Sequence, residues 1–287
     1  MSKVGWGRFL LLGLLWGMPY LFLKVAVEEI SPSVIVFSRV LIGGLICLPI
    51  ALKASKLKVD RKYWPFLILY SFTEMVGPWY LITHAEKEIA SGLTGLLVAT
   101  VPIWSAILAS IFGDHTVWHK GRLFGLVIGF IGVVFVVGVE SFGGNQDILS
   151  IGMVILAAIG YAYAINMINR RIPHVPGIAI NTWAMIITSI VYLPFAIVNW
   201  PSKTPSLEAV GSVIALGVLC TAIAFIYFFK LIAEVGPPRA SLITYLNTAV
   251  AVLLGVVLLG ESITLGIAIG LPLVLIGSYF ASRKVTR

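Results

Sequence analysis

Apolar stretches of about 20 residues, each long enough to cross ~30 Å of hydrocarbon, follow one another along nearly the whole chain. Polar and turn-forming residues collect in short breaks: Ser31-Pro32, Gly143-Gly144-Asn145, Pro173 to Pro176, Pro201 to Pro205 and Gly236-Pro237-Pro238. The alternation predicts ten helices, at 4–26, 32–52, 63–84, 89–112, 117–138, 149–170, 178–199, 208–233, 238–259 and 263–282. The pattern also repeats. LLWGMPYLFLK (14–24) lines up with AAIGYAYAINM (157–167), LPIAL (48–52) with LPFAI (193–197), and ATVPIWSAILASIFGDH (99–115) with YLNTAVAVLLGVVLLGE (245–261). GFIGVV (129–134) has an echo in PLVLIGSYF (272–280). The offset stays at about 145 residues, with five spans per copy. An odd span count sends the second copy into the membrane from the opposite side. Inverted repeats of this kind place a binding site between the halves that opens alternately to either face. The expected units are a first repeat over 1–138, a linker over 139–148 and a second repeat over 149–287.

Composition agrees with this reading. Hydrophobic residues make up 59% of the 287 and charged ones 11%, against about 25% charged in a soluble domain. Mean hydropathy is +1.03. The expected fold class is an all-α polytopic membrane protein with ten spans, built as two inverted five-helix repeats around a central cavity. A cleaved leader is not expected, because Trp16 to Lys24 belongs to the repeat. Cys47 and Cys220 lie in apolar spans and read as small core residues, without metal-ligand spacing or a disulfide.

The net charge of +8 raises nucleic acid as a partner, and its distribution argues against it. With the N-terminus inside, one set of loops carries Lys53, Lys56, Lys58, Arg61, Lys62, Lys120, Arg122, Arg170, Arg171, Arg239 and the C-terminal SRKVTR. The opposite loops carry Lys87 and Lys203 and are acidic at Glu28, Glu29, Glu86, Glu88, Glu140 and Asp147. That asymmetry orients both termini to the cytoplasm in a multi-pass plasma (inner) membrane protein.

At these residues the chain resembles the drug/metabolite transporter superfamily, specifically its EamA-type ten-helix exporters. The resemblance rests on Trp16, Gly17, Tyr20 and Lys24 in span 1, Arg39 in span 2, Pro102 in span 4 and LLGE (258–261) closing span 9. Gly125, Gly132, Gly270 and Gly277 in spans 5 and 10 also match. It covers nearly the whole chain. Two departures stand out: His115 occupies the first-half place of Glu261, and Thr248 the second-half place of Pro102. The resemblance implies a basket in which spans 1, 3, 4, 6, 8 and 9 surround the cavity. It also implies export of amino acids, other small metabolites, cationic drugs, nucleotide sugars or phosphorylated sugars.

Helical spacing groups the candidate residues, since positions three and four apart share a face. Span 1 aligns Trp16 and Tyr20 with Lys24; span 4 aligns Thr100 with Trp104; span 6 aligns Tyr163 and Asn166 with Arg170. Span 8 aligns Tyr227 and Lys230 with Glu234, and span 9 places Asn247 beside Tyr245 and Thr248. Span 3 adds Glu74, Trp79 and Tyr80. Rings, hydroxyls and amides suit an amphipathic solute. Each group also has a plainer role. Trp6, Trp118 and Trp200 read as interface anchors, and Ser, Thr and Asn bridge helices.

Intramembrane charge is costly, at least ~2.5–3.5 kcal/mol at the centre. Glu74 and Arg39 therefore either neutralise each other or pair with other helices, or Glu74 holds a substrate amine or a proton. Lys230 pairs with Glu234 one turn away or meets a substrate carboxylate. Lys24 is expected to snorkel outwards. Pro19, Pro49, Pro78, Pro102, Pro194 and Pro272 permit bends, and the glycines of spans 5 and 10 permit close packing or a weak dimer.

The chain has no Walker loop, HExxH or nucleophile elbow, so neither an enzyme nor a cofactor or metal is expected. The leading expectation is a secondary transporter exporting small metabolites, foremost amino acids, neutral or aromatic ones included. Organic cations or drugs, and nucleotide-linked or phosphorylated metabolites, are the alternatives. A lipid flippase or a channel is the contrasting class. The partners are a small-molecule substrate and membrane lipid, with no nucleic acid.

Overall fold

A computed structural model describes residues 2–53, 57–113, 119–142, 147–235 and 243–282. The described residues are helical throughout their regular elements. The helices are α1 (Lys3–Gly17), α2 (Pro19–Ala26), α3 (Pro32–Lys53), α4 (Trp64–Ser71), α5 (Gly77–Ala85), α6 (Ser91–Val98) and α7 (Val101–Ile111). They continue as α8 (Lys120–Phe142), α9 (Ile148–Arg171), α10 (Gly177–Val198), α11 (Leu207–Gly217), α12 (Ala224–Val235), α13 (Ile243–Leu259) and α14 (Leu265–Ser282). Two π-helical segments, Phe72–Val76 and Val218–Ile223, join α4 to α5 and α11 to α12. Six stretches are long and apolar enough to cross a membrane: 3–26, 32–53, 91–111, 148–171, 177–198 and 207–234. Shorter apolar helices follow at Leu246–Leu259 and Leu265–Phe280.

Sequence explains the interruptions. Pro19 opens α2, Pro78 lies in the first turn of α5 and Pro102 in that of α7, where a missing N–H costs least. Pro49, Pro194 and Pro272 instead lie within continuous helices. Asp147 caps α9 by accepting from the Leu149 and Ser150 amides at 3.3 and 2.9 Å. Gly113 and Gly260 end α7 and α13 at φ of +93° and +66°, the left-handed conformation glycine adopts without a Cβ clash. The expected departure at His115 lies outside the described residues.

The helices pack in a cross-linked bundle. α3 lies against α10, α8 against α14, α6 against α13 and α9 against α5 and α7. α1 packs on α12 and α13, and α2 on α11. Glycine makes several crossings possible. A Cβ on Gly277 would strike the Gly129 backbone, and one on Gly17 would meet the Asn247 carbonyl at 2.8 Å. Leu45, Ile197, Val198 and Leu207 are among many large apolar side chains left exposed on the outside. Such a surface suits hydrocarbon rather than water.

Candidate functional site: a buried charged cluster between two end cavities

At the widened turns of the two π segments, side-chain hydroxyls meet backbone carbonyls, one from another helix and one from within the segment. Tyr192 on α10 donates to the Val76 carbonyl at 2.7 Å. Thr221, inside the second π segment, donates to the Leu216 carbonyl at 2.8 Å. Its hydroxyl also accepts from Arg39 Nε at 2.9 Å. Arg39 is 8% exposed, and its guanidinium lies 3.8 Å from the centre of the Trp79 ring, a cation–π contact strengthened by desolvation.

The first π segment carries Glu74. Its Oε2 is buried with no hydrogen-bond partner. Tyr70 and Tyr161 feel its charge, and Tyr161 also feels Arg39 and Tyr20 and bonds to Trp79. Tyr20, Trp79 and Tyr70 are buried. Trp16 packs alongside, 4.7 Å from Phe228 and 5.7 Å from Phe225 between ring centres. Neither Arg39 nor Glu74 belongs to an ion pair within 4.0 Å among the described residues. Of the expected alternatives, mutual neutralisation is not seen; Arg39 is stacked and hydrogen-bonded to other helices, and Glu74 is a separate carboxyl.

The other expected site residues scatter. Thr100 donates to the Leu97 carbonyl at 2.6 Å and accepts from Trp104 Nε1 at 3.1 Å. Trp104 meets Phe130 of α8 edge-on at 5.5 Å. Asn166 ties α9 to α7 through Ser105, donating to its hydroxyl at 2.8 Å. Tyr80 is 37% exposed and stacks between His84 and Tyr192. Asn247 accepts from Thr248 at 3.4 Å, and the Tyr245 side chain lies outside the described ones. Lys230 sits over the Tyr227 ring at 5.3 Å. The intrahelical Lys230–Glu234 pair does not form; Glu234 instead meets Arg8 at 2.9 Å and accepts from the Ser2 hydroxyl. Those partners come from the N-terminus, 226 or more residues away in sequence.

Cavities flank this cluster at opposite ends of the bundle. At the end that carries the N-terminus, about 370 Å³ is lined by Phe112, Tyr163, Met167, Arg170 and Arg171. At the far end, about 240 Å³ is lined by Lys24, Val27, Glu28, Glu86 and Lys87. Lys24 does not simply reach outwards. Its ammonium donates to the Glu86 and Ile89 carbonyls at 2.8 and 3.0 Å, closing the turn between α5 and α6. Glu261 then caps α6 from the other half of the chain, accepting from the Ser91 and Gly92 amides at 2.7 and 3.0 Å. Among the described residues no cluster of three or more metal-ligating side chains occurs.

The EamA-like transporter family matches residues 5–138 and again residues 148–283. This chain belongs to the EamA-like transporter family. It is 26% identical to the uncharacterized transporter YoaV of Bacillus subtilis, over 95% of this chain and 96% of the relative. It is 25% identical to the uncharacterized inner membrane transporter YedA of Escherichia coli K12, over 97% and 92%. An uncharacterized transporter of Archaeoglobus fulgidus is 26% identical over 94% and 95%. A solved crystal structure shares the fold with a TM-score of 0.68, covering 98% of each chain at 19% identity. The chain is therefore a membrane transporter.

Proposed function

We propose that this EamA-family transporter is a ten-span carrier of two inverted repeats that exports amino acids by alternating access across the plasma membrane. The observation that carries the substrate is the pair of groups of opposite sign, buried Arg39 and half-buried Glu74 with its Oε2 shut in, set in one aromatic-walled cluster without an ionic partner among the described residues. An α-amino acid is a zwitterion. Its carboxylate would take the free N–H groups of Arg39, which spends its Nε on Thr221. Its ammonium would take Glu74. Trp16, Trp79, Tyr20 and Tyr161 would wall the side chain, which favours neutral and aromatic members.

Alternating access is supported by the cavities at the two ends with the packed cluster between them. Inversion is supported by the recurrence of helix bounds. Lys3–Ala26 and Ile148–Arg171, Pro32–Lys53 and Gly177–Val198, and the two π segments repeat at about 145 residues. The positive loops then place both termini inside, and the Lys24–Glu86 end outside.

Counterflow in proteoliposomes tests the reading. Saturable exchange of labelled neutral amino acids, lost in Glu74→Gln, is the expected result. Exchange of organic cations alone would replace the zwitterion with the cation reading that Glu74 favours by itself. Flux without saturation or counterflow would mean a channel.

A further inference from the structure

Glu86 follows the last residue of α5 and stands outside the cluster just described. It is 0% exposed, and among the described residues neither carboxylate oxygen makes a well-aligned hydrogen bond, the Thr94 hydroxyl being the neighbour that comes nearest to one. A carboxylate so placed pays desolvation with no compensating bond. The nearby donors are already used. Lys24 spends its ammonium on two backbone carbonyls, one of them that of Glu86. Thr94, which faces the carboxyl from α6, donates to the Ala90 carbonyl at 3.1 Å. Glu261 faces Glu86 with like charge while it caps α6, and Tyr20 faces it from α2. Glu28 and Lys87 lie across the cavity that Glu86 helps to line. His84, in the last turn of α5, faces Asp147. The inward-facing set of Lys24, Glu86 and Glu261 thus holds one cation against two carboxylates. One proton makes it neutral.

We propose that Glu86 is a proton-binding site of the far-end cavity, and that its protonation holds the turn between α5 and α6 closed over the carboxyl, keeping the cavity narrow. The inference rests on the alternating-access reading and is independent of the substrate. Burial pushes the Glu86 carboxyl well above the usual carboxylate range; Lys24 and the Thr94 hydroxyl oppose this and Glu261 adds to it. The sign follows. The closed arrangement is stable while Glu86 is protonated. It is lost as pH rises through the raised value, because the ionised carboxylate gains water only if the turn over it opens. With the outer face assigned to this end, acid outside shuts the vestibule and alkali opens it.

The test reads accessibility. Val27 lines the same cavity and is 8% exposed. Val27→Cys in proteoliposomes is labelled from the far-end face with a membrane-impermeant maleimide, from mildly acidic to mildly alkaline pH. The unsubstituted protein, with Cys47 and Cys220 buried, gives the background. Glu86→Gln fixes the neutral form and keeps His84, Glu28 and Lys87 in place. The Glu86 protein is expected to label with a steeper rise in pH than thiol ionisation alone gives. The Gln variant should keep only the thiol slope and a low rate throughout, and Glu86→Asp should restore the steep rise. Equal profiles with Glu86 and Gln would overturn the proposal while leaving counterflow, and so the carrier reading, standing. Labelling that follows sodium rather than protons at fixed pH, and does so only with Glu86, would also overturn it in favour of a metal cation.

Discussion

At the residue scale, Arg39 draws on properties that lysine lacks. The guanidinium stacks its plane on Trp79 while Nε reaches Thr221, which leaves the rest of the fork for a ligand. Arg39→Lys keeps the charge and loses the stack and the fork. If the amino-acid reading holds, KM in counterflow should rise about tenfold or more, as losing a charge-assisted hydrogen bond of ~1.5–3 kcal/mol requires. An unchanged KM would return Arg39 to a packing role beside the π segment. Sequence pointed to Arg39 through the cost of intramembrane charge, and to Trp79 through its span. The bond from Arg39 to Thr221 was illegible, because 182 residues separate the two. Glu86 was read, with Glu28, Glu29, Glu88, Glu140 and Asp147, as one acid of the outer loops. Nothing in EKE distinguishes the carboxyl that turns inwards from the one that does not. Glu234 failed differently: correct spacing to Lys230 lost to Ser2 and Arg8, which reach it from α1.

At the element scale, ends were more legible than interiors. Prolines 19 and 102 and the glycines at 113 and 260 mark helix boundaries by local stereochemistry, which sequence carries directly. The π segments have no such mark. Their extra residue survives because Tyr192, from another helix, and the internal Thr221 hydroxyl satisfy the freed carbonyls, and one of those partners is visible only in the fold. Caps borrowed across the chain behave likewise. Glu261 holds two amides of α6 from 169 and 170 residues away. Glu261→Ala should cost about 0.5–2 kcal/mol, the usual worth of an N-terminal cap. A lower thermal midpoint in detergent would report it, and an unaltered midpoint would mean that water replaces the carboxylate.

At the scale of the whole molecule, the repeat was the strongest message of the sequence, because a pattern written twice is legible without any residue's role being known. Candidate residues were harder to place. The faces that helical spacing grouped are shared between the interior and neighbouring helices, so Trp104 ends against Phe130 and Asn166 against Ser105. The assembly also depends on small residues at its broadest seam. α8 and α14 approach so closely at Gly129 and Gly277 that a side chain at Gly277 would enter the facing backbone. Gly277→Val should destabilise the protein by ~1–3 kcal/mol through overpacking. Thermal unfolding of the purified protein checks this, and a neutral result would show that the seam can widen.

The first π segment has a consequence in register. Each residue along a helix turns the chain by about 100°, so one surplus residue before Gly77 sets the azimuth of everything up to Ala85. Trp79 reaches Arg39 because of that count. If 72–76 straightened into an ordinary helix with every residue kept, the surplus ~100° would swing the indole about a quarter turn away; deleting one residue as well would bring it back. The aromatic face that holds the arginine is in this sense specified by arithmetic along the backbone as much as by the identity of the tryptophan.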